Sequence, residues 1–356
     1  NLCCFASEGH ELDIKYKQKT HAPFDFFLSD EMNKIRNMSL NNEKIPQCQR
    51  CYKEEKSSGY SNRKRYIEER KGKLPYEVKN IKFKLRHFGN HCNLGCLMCH
   101  PYNSTTRTKE LKDIGLYENV MNQYGNPDYE NMDYKSYQLF KNDIIKNIEK
   151  ISTFQITGGE PFQIPKVWQF LLNDIPKDKA KNISLVIDTN LTNLSYKKWH
   201  FEQLLERYRK IILNVSCDHI KDKLQFIRYP IDVNLFENNL EKYKSNINRI
   251  NLTVQILNIF DLDIIKNYYN DFDVSTESYV GYPKFLSVRN LSDKYKKEVI
   301  NNYSNYEDRN KIFFTEINKS PMSVKKTFVD YMNSLSRHRK LDWTKLWSEN
   351  LIECMI

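Results

Sequence analysis

The rhythm of apolar positions changes near residue 150. Beyond it, short runs rich in Ile, Leu and Val alternate with longer stretches whose apolar residues recur every three or four positions. "STFQIT" precedes "PKVWQFLLND", "NISLVIDTN" precedes "SYKKWHFEQLLERY", "KIILNVSCD" precedes "VNLFENNLEKYKS", and "RINLTVQILN" precedes "DLDIIKNYYNDF". The first of each pair predicts a strand and the second a helix. An earlier segment, "NIKFKLRHFG" (Asn80–Gly89), alternates apolar and polar residues and predicts one more strand. Strands alternating with helices point to parallel βαβ units. About five repeats fall between 80 and 270, too few for a closed eightfold barrel. The expected class is therefore α/β, built of parallel βαβ units with a helical C-terminal segment.

The rest of the chain follows other patterns. Residues 1–75 are polar and irregular, with one helical piece, "SDEMNKIRNMSL", where Ser29 and Asp30 can cap and Met32, Ile35 and Met38 fall at helical spacing. Residues 103–150 are rich in Asn, Tyr and Lys and read as an insertion ending in the helix "KSYQLFKNDIIKNIEKI". The last 65 or so residues look helical. The expected units are a cysteine-rich region at 1–75, the βαβ unit at 76–290 and a helical segment at 291–356.

Composition narrows the classes. Of the 356 residues, 40% are hydrophobic and 28% charged, enough for a packed core and a solvated surface. No apolar run reaches membrane-spanning length and no signal-peptide pattern opens the chain, so a soluble, cytoplasmic protein is expected. The chain does not begin with methionine, and residues are expected before Asn1. The net charge of +11 favours a polyanionic partner only if the charges cluster, and abundant Lys, Asn and Ile also fit an AT-rich genome. Runs such as "KYKQK" and "SNRKR" read as solvated faces.

The nine cysteines carry more. Three of them, Cys92, Cys96 and Cys99, sit in "CNLGCLMC", directly after the first predicted strand. Such clustering argues against a secreted disulfide framework and for metal or redox chemistry. Thiolates suit iron–sulfur clusters. Three can hold three corners of a [4Fe–4S] cluster and leave one iron open. His91 and His100 flank the trio and can complete a zinc site, although structural zinc sites normally use separated ligand pairs. "ITGGEP" (Ile156–Pro161) follows the second predicted strand. Its adjacent Gly158 and Gly159 permit close backbone approach, and Glu160 can accept from an ammonium group. Asp188, Thr189 and Asn190 end a third strand, and Ser216 and Asp218 a fourth, where they either line a site or cap the next helix.

These motifs resemble the radical SAM superfamily: a Cys-x3-Cys-x2-Cys loop after the first strand of a partial barrel, then Gly-Gly-Glu-Pro after the second. Met98 stands where the family often has an aromatic residue. The resemblance implies a partial, TIM-like (βα)6 barrel at 76–290 and a [4Fe–4S] cluster on Cys92, Cys96 and Cys99, with S-adenosylmethionine on the open iron. It places Gly158, Gly159, Glu160 and Pro161 at the amino group of S-adenosylmethionine, and Ser216 and Asp218 near its ribose and the substrate. Asp188 and Asn190 join them as expected cofactor-binding residues. A reductant such as flavodoxin or ferredoxin is the implied partner.

A narrower resemblance covers most of the chain. "CQRCYKEEKSSGYSNR" with the "CC" of Cys3 and Cys4 is similar to radical SAM proteins whose SPASM- or Twitch-like auxiliary-cluster region precedes the barrel. Cys51-Tyr52, Glu54, Glu55, Ser61 and Arg63 match, as do "FIRYP" (Phe226–Pro230) and "ILNIFDL". It implies an auxiliary iron–sulfur cluster on Cys3, Cys4, Cys48 and Cys51, with zinc the alternative. Since such relatives often modify peptides, a peptide or protein substrate is expected. Modification of nucleotides or nucleic acid, and a non-enzymatic iron–sulfur or zinc binding module, are the other readings. Cys217 reads either as a buried thiol or as a hydrogen-atom donor to a substrate radical. Cys354 is left open among a free thiol, a donor and an incidental residue. Arg228 and Tyr229 either face the substrate or belong to a packed loop.

Overall fold

A computed structural model describes residues 22–41, 43–61, 63–64, 68, 80–86, 88–124, 132–303, 316–347 and 350–355. Six parallel strands form one curled half-barrel in sequential order: β1 (Ile81–Leu85), β2 (Ile151–Ile156), β3 (Ser184–Thr189), β4 (Lys210–Ser216), β5 (Ile247–Val254) and β6 (Val274–Tyr279). The parallel units expected from the alternation and the partial barrel implied by the resemblance are present. The sixth strand, "VSTESY", has only one buried residue, Thr276, and its weak pattern escapes a reading by periodicity.

The helices named below are α1 (Asp30–Leu40), α2 (Gln49–Ser58), α3 (Thr105–Asp113), α4 (Tyr134–Lys146), α5 (Pro165–Trp168), α6 (Lys221–Ile227), α7 (Val233–Lys242), α8 (Leu262–Tyr268), α9 (Asp293–Tyr303) and α10 (Lys325–Arg339). Ser29 caps α1, accepting from the Met32 amide as its position suggested. The stretch expected as an insertion supplies α3 and α4 and forms the crossover from β1 to β2, with Tyr137, Phe140 and Ile144 of α4 buried in the core. One predicted helix is corrected. In "SYKKWHFEQLLERY", Ser195–Tyr196 and Trp199–His200 form a small antiparallel hairpin, and only Phe201–Leu205 is helical. Lys197 sits at φ +54° in the turn, which interrupts the helical periodicity. No described helix is long and apolar enough to cross a membrane.

Strand alternation gives the sheet two chemically different faces. Phe154, Ile156, Leu185, Ile187, Leu213 and Val215 are fully buried on the helix-covered face. Phe154 meets Phe170, in the π-helical turn (Gln169–Asp174) that extends α5, with ring centroids 5.4 Å apart. The inner face of the curl is polar. A row of side chains crosses it: Gln155 donates to Asp188 (3.1 Å), Asn214 donates to Asp188 (2.8 Å), and Asn248 donates to Asn214 (3.2 Å).

The core reaches under the Gly-Gly-Glu-Pro turn through Trp168. Its indole is fully buried, donates to the Phe162 carbonyl (2.9 Å) and stacks on Trp199 at 6.4 Å. Trp168→Ala is expected to cost about 3–5 kcal/mol, as large aromatic truncations do. Denaturant unfolding measures it, and Trp168→Phe should lose less.

Candidate active site

The three-cysteine loop leaves the end of β1 and is gripped through its backbone. The Thr106 hydroxyl donates to the Cys92 carbonyl (2.7 Å), and Ser104, which caps α3, donates to the Leu94 carbonyl (2.6 Å). The Gly95 amide donates to the Tyr229 carbonyl (2.6 Å) and the Leu97 amide to the Ile227 carbonyl (3.0 Å). The "FIRYP" segment therefore docks on the loop, and its Arg228 and Tyr229 belong to that packed contact. Arg228 is buried, paired with Asp218 (2.7 Å), and its Nη1 lies 3.7 Å from the Cys96 sulfur.

The Gly-Gly-Glu-Pro turn closes on the same loop. Gly158 and Gly159 have φ of +94° and +52°. A Cβ on Gly158 would lie 2.9 Å from the Arg86 carbonyl oxygen, and one on Gly159 would lie 2.6 Å from that of His91. Only glycine permits this approach. The approach lets the Glu160 amide donate to the His91 carbonyl (2.9 Å). The Glu160 carboxylate is buried and accepts from the Thr189 hydroxyl (2.7 Å), the Asn190 amide (2.7 Å) and the Phe162 amide (3.4 Å). Asn190 in turn donates to Asn93 (3.0 Å) and lies 4.0 Å from the Cys92 sulfur. Pro161 opens the short turn after Glu160 and is buried.

Thus the structure brings together Cys92, Cys96, Cys99, Gly158, Gly159, Glu160, Asn190 and Asp218. Asp218 caps no helix: its other oxygen accepts from the Thr253 amide (2.8 Å). Asp188 and Asn214 lie on the inner face, and strand register puts Ser216 there too, partly exposed. Cys217 is not with them. Its thiol is fully buried against the His219 carbonyl (3.1 Å) and Tyr269 hydroxyl (3.4 Å), beside α8 on the helix-covered face. Cys354 is buried near the C-terminus, in a separate pocket with Lys223, Tyr295 and Trp347. His91 is exposed, and His100 Nδ1 accepts from the Tyr102 amide.

Sequence reasoning missed a buried triad beneath the loop: Arg107 and Glu110 of α3 with Arg339 of α10. The spacing of Arg107 and Glu110 on one helix was available as a signal. Nothing in the sequence joins them to Arg339, 229 positions from Glu110.

Electrostatics decide what the thiols can hold. Burial pushes the Cys92 thiol well above its ordinary value and Cys99 up to about 12, with neighbouring cysteines adding to both. Burial also raises Cys96, against the opposing pull of Arg228, Arg339 and Arg107. Free thiols here stay protonated, and only a bound cation or cluster would take them as thiolates. Among the described residues, no three His, Cys, Asp or Glu side chains converge on one ion. A four-iron cluster asks for something else: its ligands stand on separate iron corners. Three cysteines on one loop, Cys92 and Cys96 buried and Cys99 half-buried, with Arg228 and Asn190 nitrogens directed at two of the sulfurs, fit that group.

Near the N-terminus, Cys48 precedes α2 and Cys51 is buried within it. Four residues of the narrower resemblance, Tyr52, Glu55, Ser61 and Arg63, meet in space. Arg63 forks onto Glu55 (2.9 and 2.6 Å), Ser61 donates to Glu55 (2.5 Å), and the Arg63 guanidinium lies 4.9 Å from the Tyr52 ring centre. Cys3 and Cys4 lie outside the described residues.

The Radical SAM superfamily profile matches residues 87–266, just over half of the chain and the span that carries both motifs. The chain belongs to the radical SAM superfamily, whose members use a [4Fe–4S] cluster and S-adenosylmethionine. Among solved structures it is similar to native anSMEcpe with bound AdoMet, at 18% identity and a TM-score of 0.44, over 69% of this chain and 65% of that one. It is similar to Streptococcus suis SuiB bound to precursor peptide SuiA, at 16% identity and a TM-score of 0.37, over 70% and 50%. TYW1 with a lysine-pyruvate adduct bound is 13% identical with a TM-score of 0.37, over 80% and 91%. The chain thus spans just under two thirds of the anSMEcpe chain. No curated protein matches.

This geometry makes two testable demands. Gly159→Ala forces a Cβ onto the His91 carbonyl and strains a positive φ, so it should cost at least about 2 kcal/mol in denaturant unfolding. The second concerns Glu160, whose carboxyl is pushed up to about 7 by burial, against the three donors it accepts from. Between the unfolded value of about 4.5 and about 7, the folded chain holds the extra proton. Its stability contribution is therefore present at low pH and falls as pH rises, by up to about 1.4 kcal/mol per unit. Subtracting the Glu160→Gln stability profile from that of the wild-type chain should reveal this slope. A flat difference from pH 5 to 7 would refute it.

Proposed function

We propose that this chain is a radical SAM enzyme acting on a peptide or protein. The observation that carries the proposal is the trio Cys92, Cys96 and Cys99, the first two buried and the third partly exposed, joined through Asn190 to the Glu160 carboxylate. A bound cluster would supply the electron for reductive cleavage of S-adenosylmethionine, the chemistry that gives a 5′-deoxyadenosyl radical able to take a hydrogen atom from a substrate.

The chain's own residues position and shield. Cys92, Cys96 and Cys99 would hold the cluster, and the burial of Cys92 and Cys96 would shield that side of it from water and oxygen. Glu160, once ionised, accepts from the ammonium group of S-adenosylmethionine. Gly158, Gly159 and Pro161 set the turn that presents it. Asp188, Asn190, Ser216 and Asp218 serve the remaining polar groups of the cofactor and the substrate. The inner-face row from Gln155 to Asn248 offers amides and a carboxylate of the kind that pair with a peptide backbone. Cys217 is a structural thiol in this reading, because Tyr269 and the helix layer cover it.

Cys48 and Cys51, braced by Glu55, Ser61 and Arg63, would hold an auxiliary iron–sulfur cluster with Cys3 and Cys4. That cluster would accept an electron or ligate substrate. A reductant of the flavodoxin or ferredoxin kind completes the system.

The test is anaerobic reconstitution with iron and sulfide, then dithionite and S-adenosylmethionine. The expected result is 5′-deoxyadenosine that disappears in Cys96→Ala, with about eight irons per chain for two four-iron clusters. About four irons with turnover would remove the auxiliary cluster. Bound zinc without cleavage would overturn the enzyme reading.

A further inference from the structure

The triad under the three-cysteine loop has no part in the function proposed above, yet its placement is specific. Arg339 is the last residue of α10. Its Nε and Nη2 fork onto the two Glu110 oxygens (2.6 and 2.7 Å). Nη2 also donates to the Gly95 carbonyl (2.9 Å), and Nη1 donates to the Phe226 carbonyl. Arg107 completes the set, donating to Glu110 (2.7 Å) and to the Leu97 carbonyl (3.2 Å). The Gly95 and Leu97 carbonyls are thus held by arginines, while their amides are held by Tyr229 and Ile227. Both peptide groups lie between the cysteines, flanking Cys96.

Two further facts single out this contact. Gly95 is packed so closely that a Cβ there would lie 3.2 Å from Glu110 Oε2, so the loop carries glycine where the triad presses on it. The second is the placement of charge: Arg339 and Arg107, with fully buried side chains, bond the carbonyls on either side of Cys96, and Arg228 lies 3.7 Å from its sulfur. Buried cations so placed favour an anion in the same surroundings.

We propose that Arg339 is a positioning residue for the cysteine loop. From the C-terminal helix, it fixes the loop backbone and places a buried positive charge that favours the bound cluster in its reduced state. The second half of this inference rests on the cluster reading; the first half does not. As cluster ligands, Cys92, Cys96 and Cys99 would bring three negative charges, and the Arg339 guanidinium would offset part of them. Because the fork and the carbonyl contact come from one guanidinium, α10 cannot move away from α3 without releasing Gly95. Docking of the C-terminal helix and order in the loop are therefore one event.

The test compares wild-type chain, Arg339→Gln and Arg339→Lys, each metal-free and anaerobically reconstituted. Amide hydrogen exchange is read at Gly95 and Leu97, with Ile187 and Leu213 of the sheet as reporters of global opening. Loss of charge-assisted bonds should speed exchange at Gly95 and Leu97 by about ten- to a hundredfold in Arg339→Gln, with smaller changes in the sheet. The midpoint potential of the reconstituted cluster, followed by electron paramagnetic resonance, should fall in Arg339→Gln. Arg339→Lys keeps the charge and loses the fork, so it should restore the potential while loop exchange stays fast. Exchange that rises equally in the sheet, or not at all, would overturn the latch. An unchanged potential in Arg339→Gln would overturn the charge role. If Arg339→Gln does not fold, Arg339→Lys decides: slow loop exchange would overturn the latch, and a lowered potential would overturn the charge role. If the chain takes up no cluster, the enzyme reading fails, whereas the exchange comparison on metal-free protein still decides the latch.

Discussion

The carbonyl of His91 leaves no room for a side chain on Gly159, and most of the site depends on that contact. Two glycines at positive φ let the turn after β2 lie against the loop after β1. The Glu160 amide then bonds to His91, and its carboxylate is drawn under the ends of β2 and β3. Three segments distant in sequence become one rigid unit, tied through Asn190 to the first cysteine. A Cβ at either glycine would separate the turn from the loop and leave Glu160 without its seat.

The same unit sets the electrostatics. Burial pushes carboxyl and thiols alike toward their neutral forms. Cations offset this only on one side. Burial works against the Arg228 charge, but Asp218 and Cys96 outweigh it and hold the guanidinium above its ordinary value. Glu110 is held low by Arg339 and Arg107 despite burial. The loop therefore lies between a carboxyl that resists charge and a group of arginines that invites it, an arrangement suited to thiolates that ionise only when something binds them.

The half-barrel explains how these groups come to share one end of the molecule. In a parallel sheet every strand delivers its C-terminal residues to the same edge, so Glu160, Asn190 and Asp218 meet although they are spread over nearly sixty positions. Strand alternation then sorts neighbours: Asn214 and Ser216 share the polar inner face, while Cys217 turns to the helices and is closed off by Tyr269.

The sequence alone determined the class of fold and the chemistry of the site. Period-two and helical patterns are local properties, and five of the six strands show them. Cysteine spacing and adjacent glycines are local too, so both motifs are legible in the bare chain. The weak pattern of β6 and the hairpin within "SYKKWHFEQLLERY" are not, because one strand is half-solvated and the other segment is bent by a turn that helical periodicity conceals. Tertiary structure alone decided which polar residues pair, on which face Cys217 lies, that Arg228 turns to Cys96, and that Arg339 reaches Glu110. These are long-range contacts, fixed by how helices pack on the curled sheet. A buried ion pair between residues 229 positions apart leaves no periodic trace in the chain that forms it.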